Sequence, residues 1–220
     1  MKEIFPGIYL INGKLATLNS VPGNKVYGEQ LVSVKDQEFR IWDPYRSKLA
    51  AAIKKNLKTV PLKKDFKVLY LGSAEGTTVS HVAESVGDKG LVFGVEFSER
   101  TMRKFIDICE SRSNIIPILA DANKPDSYSE YLEGQGIDLL YQDIAQKNQA
   151  EIFNKNAKMF LKKGSFGMIA IKARSISQKK NIKEIFDTEI AEIEKEFKII
   201  ESVPLAPFEK EHLFVVCQKK

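Results

Sequence analysis

With 220 residues, 43% of them apolar, the chain can bury the core of one α/β domain and a small appendage. It holds no run of about 18 apolar residues of the kind that spans a membrane, and its start, MKEIFPGIYLING, lacks the apolar block and cleavage site of a signal peptide, so a cytosolic protein is expected. A net charge of +5 allows a polyanionic partner without demanding one, while two cysteines and two histidines, none at metal spacing, argue for buried reduced thiols and no metal site.

Residues 1–45 read as short strands punctuated by Asn12-Gly13 and Pro22-Gly23-Asn24, which predicts a small antiparallel β-subdomain. Ser47 then caps a helix over 48–57. From there strands and helices alternate: strand 67–71, helix 77–86 ended by Gly87, strand 91–97, a helix from Ser98 to about Arg112, and strand 115–120. A weak helix near 126–132, strand 137–142, helix 147–161 and strand 165–173 follow, then a charged helix over 178–195 and strands 197–203 and 212–218.

Such alternation implies a parallel sheet covered on both faces. The last link breaks the pattern. Residues 204–211, PLAPFEKE, contain two prolines and leave no room for a crossover helix, so the seventh strand should run antiparallel. Seven strands with the last reversed is the plan of the Rossmann-like, S-adenosylmethionine-dependent methyltransferase fold, which assigns residues 46–220 to that domain.

The stretch YLGSAEGTTVSH (70–81) is a strand, a glycine turn and a helix start. Turns of this kind hold ligands against backbone N–H groups. A Walker A loop needs four residues between its glycines and then lysine; here three separate Gly72 from Gly76, and Thr77 and Thr78 follow. A dinucleotide fingerprint fails because position 74 is Ala74. Glu96, ending the second strand, suits ribose hydroxyls. Asp121 can accept from an adenine amino group or close an Asx-turn before Pro125, and Phe97 can stack on adenine or pack in the core. A nucleoside without pyrophosphate fits, and S-adenosylmethionine is one.

Ligands of open α/β sheets bind beyond the carboxyl ends of the strands. Topology delivers four chemically able residues to that edge: Asp143 after the fourth strand, Lys172 at the end of the fifth, His212 at the start of the reversed seventh, and Lys48 at the start of the helix leading into the first. His81 lies a turn into a helix and reads as packing.

These motifs resemble the fibrillarin family, in particular its archaeal members, the 2′-O-methyltransferases of box C/D guide RNA complexes. WDPYRSKLAAAI (42–53), YLGSAEGTTVSHV (70–82), GVEFS (94–98), ADANKP (120–125), YQDIAQ (141–146) and IKARSI (171–176) match the family's motifs in order. The resemblance implies S-adenosylmethionine contacts at Gly72, Ala74, Gly76, Thr77, Thr78, Glu96, Phe97, Asp121, Ala122, Asp143, Ile144, Ala145 and Gln146, and a catalytic set of Lys48, Asp143, Lys172 and His212. It implies guide-directed methylation of ribose 2′-hydroxyls in target RNA, with S-adenosylhomocysteine as product. Its partners would be a Nop-domain scaffold protein, a kink-turn-binding ribosomal-protein-like protein, the box C/D guide RNA and the target RNA.

Lys172 is the first candidate for the base, with Asp143 orienting it and His212 positioning the hydroxyl or sharing the proton. Arg46, Lys48, Arg174 and Lys179 are expected to meet phosphates. Two departures from the family pattern stand out: Glu75 within the cofactor loop, and Gln142 where a small residue is usual. The competing readings are a protein (glutamine) methyltransferase and a non-catalytic subunit of the same assembly.

Overall fold

Five short strands open the chain: β1 (Lys2–Phe5), β2 (Ile8–Ile11), β3 (Lys14–Leu18), β4 (Leu31–Val34) and β5 (Gln37–Ile41). They form an antiparallel sheet in the order β1-β2-β3-β5-β4. In this computed structural model, which describes residues 1–220, the β2–β3 turn is the two-residue loop Asn12-Gly13, with φ of 48° and 78°. Two positive φ values match the twist of the flanking strands, and Asn-Gly is the pair that adopts them most readily. The β4–β5 turn does the same with Lys35 and Asp36, at φ 48° and 59°, where no glycine announces it.

The second sheet holds β6 (Lys67–Leu71), β7 (Leu91–Glu96), β8 (Ile115–Leu119), β9 (Ile137–Gln142), β10 (Leu161–Lys172), β11 (Phe197–Pro204) and β12 (His212–Lys219). Their order is β11-β12-β10-β9-β6-β7-β8. β6 to β10 pair in parallel, and β12 runs antiparallel to both neighbours, as the short 204–211 link requires. This is the Rossmann-like methyltransferase plan.

Helices cover both faces. α1 (Lys48–Lys54), α2 (Thr77–Val86) and α3 (Glu99–Glu110) lie on one, and α4 (Gln149–Phe160) and α6 (Ile182–Ile193) on the other, with a short α5 (Ala173–Ile176) after β10. Ile8, Leu15 and Trp42 join the first of these cores, so the small sheet packs directly against α1 and α2.

Local chemistry explains the boundaries. Ser47 caps α1 by accepting from the Ala50 N–H, and Asn56 at φ 67° ends the turn that follows Lys54. α6 starts later than its charge pattern suggests. Asn181 caps it, while the Lys179 and Lys180 amides donate to the Ser177 hydroxyl instead of entering a helix. The weak helix is a 3₁₀ helix over Pro125–Leu132 with proline in its first turn. β10 begins four residues before the predicted start, because Gly164 at φ 85° supplies a bulge where the β9 register shifts.

Both thiols are free. Cys217 is buried; Cys109 is half-buried, and burial raises its pKa to about 12.

The strand order reverses between β6 and β9, whose following helices, α2 and α4, cover opposite faces. That crevice is where an open α/β sheet accepts a ligand.

Candidate active site

Gly72 follows β6 at φ 83°, and a Cβ there would fall 2.6 Å from the Asp143 carbonyl oxygen. Any side chain would therefore push apart the β6 and β9 ends that flank the crevice. The Gly72 and Ser73 amides both donate to the Val95 carbonyl, at 2.9 and 3.1 Å. Ala74, at φ 48°, sends its N–H to Glu96 Oε2 at 3.1 Å, and the Ser98 N–H reaches Glu96 Oε1 at 3.0 Å. The carboxylate at the end of β7 is thus pinned by two main-chain donors.

A cavity of about 270 Å³ opens at this point. Gly72, Ala74, Glu96, Phe97, Ala122 and the run Asp143, Ile144, Ala145, Gln146 line it, together with Val95, Ala120 and Lys172. Phe97 is 69% exposed beside it, a large aromatic face turned to solvent. An apolar wall, an open ring and one fixed carboxylate fit a nucleoside, with the base against the apolar side chains and the ribose hydroxyls donating to Glu96.

Four expected cofactor residues lie outside this lining. Gly76 folds the loop onto α3, where a Cβ would meet Ile108 and Phe105 at 2.8 and 2.9 Å. Thr77 begins α2. Thr78 is buried and donates to the Ser47 hydroxyl at 3.0 Å. Asp121 forms the Asx-turn, accepting from the Asn123 N–H at 2.9 Å, and also takes the Gln146 side-chain amide at 3.4 Å.

Beside the cavity, Asp143 sits between two ammonium groups. Lys48 Nζ lies 3.1 Å from Oδ2, and Lys172 Nζ lies 2.7 Å from Oδ1. Lys172 Nζ also donates to the Asp143 carbonyl at 3.2 Å. Burial pushes the Asp143 carboxyl up, but the Lys48 and Lys172 charges outweigh it and hold it below the usual carboxylate range.

His212 stands opposite Lys172 across the β10–β12 pair. Its Nδ1 lies 2.7 Å from the Lys210 carbonyl oxygen, which can only accept, so Nδ1 carries a proton. Nε2 is the nitrogen left for another partner. Lys48, Asp143 and Lys172 are in direct contact, whereas His212 is placed by strand register and not by a bond to the other three.

A model of the Fibrillarin family matches residues 1–220. The chain belongs to the fibrillarin family. A fibrillarin-like rRNA/tRNA 2′-O-methyltransferase from Methanocaldococcus jannaschii is 51% identical over 222 residues, covering 98% of this chain and 95% of that protein. The crystal structure of Aeropyrum pernix fibrillarin with natively bound S-adenosyl-L-methionine is 40% identical with a TM-score of 0.87, covering 96% of this chain and 92% of that one. A chain from a fibrillarin/Nop5p complex is 41% identical with a TM-score of 0.91, and each chain is covered completely at 100%.

Three features of this fibrillarin-family site have no signal in the motifs. Glu209, from the proline-containing link before β12, brings Oε1 to 3.8 Å from Lys48 Nζ. Gln149, at the start of α4, bonds the main chain of Lys172. Arg174, expected among phosphate contacts, pairs with Glu211, with Nε and Nη2 each 2.9 Å from a carboxylate oxygen. Antiparallel pairing of β10 with β12 brings the two together: the Ala173 N–H donates to the Glu211 carbonyl at 3.2 Å, beside the Lys172–His212 pair. The two departures also find places. Glu75 pairs with Lys104 on the surface at 2.5 Å, and Gln142 is fully buried with its amide on the Gln149 carbonyl at 2.8 Å.

Proposed function

We propose that the chain methylates ribose 2′-hydroxyls of RNA chosen by a guide, as the catalytic subunit of a box C/D ribonucleoprotein. One observation carries this reading beyond family membership: Asp143 is held between Lys48 and Lys172 on the wall of a nucleoside-sized cavity. A scaffold subunit has no use for two ammonium groups gathered on one half-buried carboxylate.

S-adenosylmethionine, held by Glu96, Phe97 and the Asp143–Gln146 wall, supplies an electrophilic sulfonium methyl group. Displacement forms a bond from the ribose oxygen to that methyl carbon and breaks the carbon–sulfur bond, and the hydroxyl proton must leave. The unengaged Nε2 of His212 supports this residue as the proton acceptor, since Lys172 Nζ is turned to Asp143 as a donor. Lys172 and Lys48 then face the developing oxyanion with positive charge, and Asp143 fixes both in place. Between the two candidates for the proton, Lys172 first and His212 sharing it, this reading favours His212.

The solved relative paired with Nop5p supports a Nop-domain scaffold as partner. We infer that a kink-turn-binding protein and the guide RNA complete the assembly, that base pairing selects the target, and that residues 1–45 act as a subdomain beside a catalytic domain of 46–220. No helix is long and apolar enough to cross a membrane.

The test is methyl transfer from labelled S-adenosylmethionine to a short RNA, with and without matching guide and partner proteins, followed by mapping of the modified position. One 2′-O-methyl group, formed only in the full assembly, is expected. Label on protein and none on RNA would overturn the reading.

A further inference from the structure

Lys172 is the last residue of β10, and it extends past the strand that should support it. β9 stops pairing at Gln142, opposite Ile169. On the other side β12 places His212 against Lys172, but the Lys172 main-chain groups do not face that way. Its N–H donates to Gln149 Oε1 at 2.9 Å, and its carbonyl accepts from Gln149 Nε2 at 3.2 Å.

One side-chain amide therefore occupies the place of the missing strand, offering an acceptor and a donor as a peptide group would. Its orientation is fixed by chemistry, because an N–H can only donate and the carbonyls of Lys172 and Gln146 can only accept. Gln149 Nε2 also donates to the Gln146 carbonyl at 2.9 Å.

Gln149 is fully buried and is itself held from two sides. The Gln142 amide donates to its carbonyl at 2.8 Å, and the next amide, Ala150, donates to Glu189 Oε2 of α6 at 2.8 Å. The unusual Gln142 thus has a place: it ties the end of β9 to the residue that stands in for β9.

We propose that Gln149 is a positioning residue for methyl transfer, fixing the main chain of Lys172 so that its ammonium meets Asp143. The proposal rests on the functional reading above. It assigns Gln149 no contact with substrate or cofactor.

The test uses Gln149→Met, which keeps the length and loses all three side-chain hydrogen bonds, and Gln149→Glu, which keeps the acceptor for the Lys172 N–H and, as the acid, one donor for the facing carbonyls. Two readouts are needed. Amide hydrogen exchange by NMR on the whole chain should show the Lys172 N–H exchanging at least ~10-fold faster in Gln149→Met, because its acceptor is gone. The Ala173 N–H, bonded to Glu211, should stay protected, and Gln149→Glu should keep the Lys172 N–H protected too. Single-turnover transfer in the full assembly at saturating S-adenosylmethionine should fall by ~10–100-fold in Gln149→Met, the range that small misplacements of a reacting group produce. Gln149→Glu should lose less, and KM for the cofactor should move by less than about 3-fold in both.

Transfer within about 2-fold of the original chain with the Lys172 amide released, an unchanged Lys172 amide, or a loss confined to KM would each overturn the proposal. If Gln149→Met does not fold, Gln149→Glu carries the test: unaltered transfer would overturn it, and an intermediate loss with the Lys172 amide still protected would support it. If the unmutated assembly transfers no methyl group, the functional reading fails, and the exchange data still decide whether Gln149 holds Lys172.

Discussion

The hydroxyls of Ser47 and Thr78 meet at 3.0 Å, Thr78 donating and Ser47 accepting. The same Ser47 oxygen caps α1 through the Ala50 N–H. The helix that carries Lys48 and the helix that follows the glycine turn are thereby joined at their first turns. Thr78→Val keeps the shape and removes the donor. It should lower stability by about 1 kcal/mol, the usual worth of one such bond. Thermal unfolding measures that loss, and Thr78→Ser should restore it.

Asp143→Asn should abolish measurable single-turnover transfer while leaving partner assembly intact, because it removes the charge that holds both lysines. It also changes the acid side of the stability curve. The folded carboxyl lies below its ordinary value of 3.8, so its stabilisation is present in full above about pH 4 and is lost as pH falls through the folded value. The original chain should therefore lose stability more steeply than Asp143→Asn below pH 4. Urea unfolding of both at pH 5 and pH 3 gives the two slopes, and equal slopes would count against the ion-pair arrangement.

His81 makes a separate prediction between pH 5 and 7. It is fully buried, stacks on Trp42 at 4.7 Å, and sits between Thr17 at Nδ1, 2.6 Å, and Tyr27 at Nε2, 2.8 Å. Burial, then the Arg40 and Arg112 charges, push its pKa well below 6.5. The unfolded chain takes up this proton first, so stability should fall as pH drops below about 6.5, by up to about 1.4 kcal/mol per pH unit. His81→Gln should flatten that slope in chemical unfolding.

Glu96→Gln should weaken S-adenosylmethionine binding by roughly 10-fold in calorimetry, since the amide can accept from only one of the Ala74 and Ser98 N–H groups, turns an NH2 toward the other, and loses the charge a ribose hydroxyl would meet. Phe97→Ala should weaken it by a similar factor with no loss of thermal stability, because the ring is mostly exposed. A stability loss of 2 kcal/mol or more for Phe97→Ala would mean the ring serves the core instead.

Element order and the reversed last strand were legible because periodicity and an eight-residue link constrain topology strongly. The edge position of Lys48, Asp143, Lys172 and His212 followed from that topology alone. What stayed hidden depends on contacts between distant segments. Lys35-Asp36 turns a hairpin without glycine because β4 and β5 pair on either side of it. Arg174 looks like any exposed cation until β12 brings Glu211 beside it. Gln149 looks like a polar residue at a helix start, and nothing local says that β9 will end three residues short of Lys172. Thr78 carries a family motif, yet its hydroxyl bonds Ser47, a relation no spacing rule contains.

β12 is last in sequence order but lies inside the sheet, between β10 and β11. The ribosome finishes β10 roughly forty residues before it delivers His212, a gap of about 2–8 s at ordinary synthesis speeds. Throughout that interval the cofactor wall can form while the edge beside Lys172 stays open. On the proposed role of His212, activity should therefore arise as one late event, when the inner strand inserts, and a translation product cut short before His212 should transfer no methyl group.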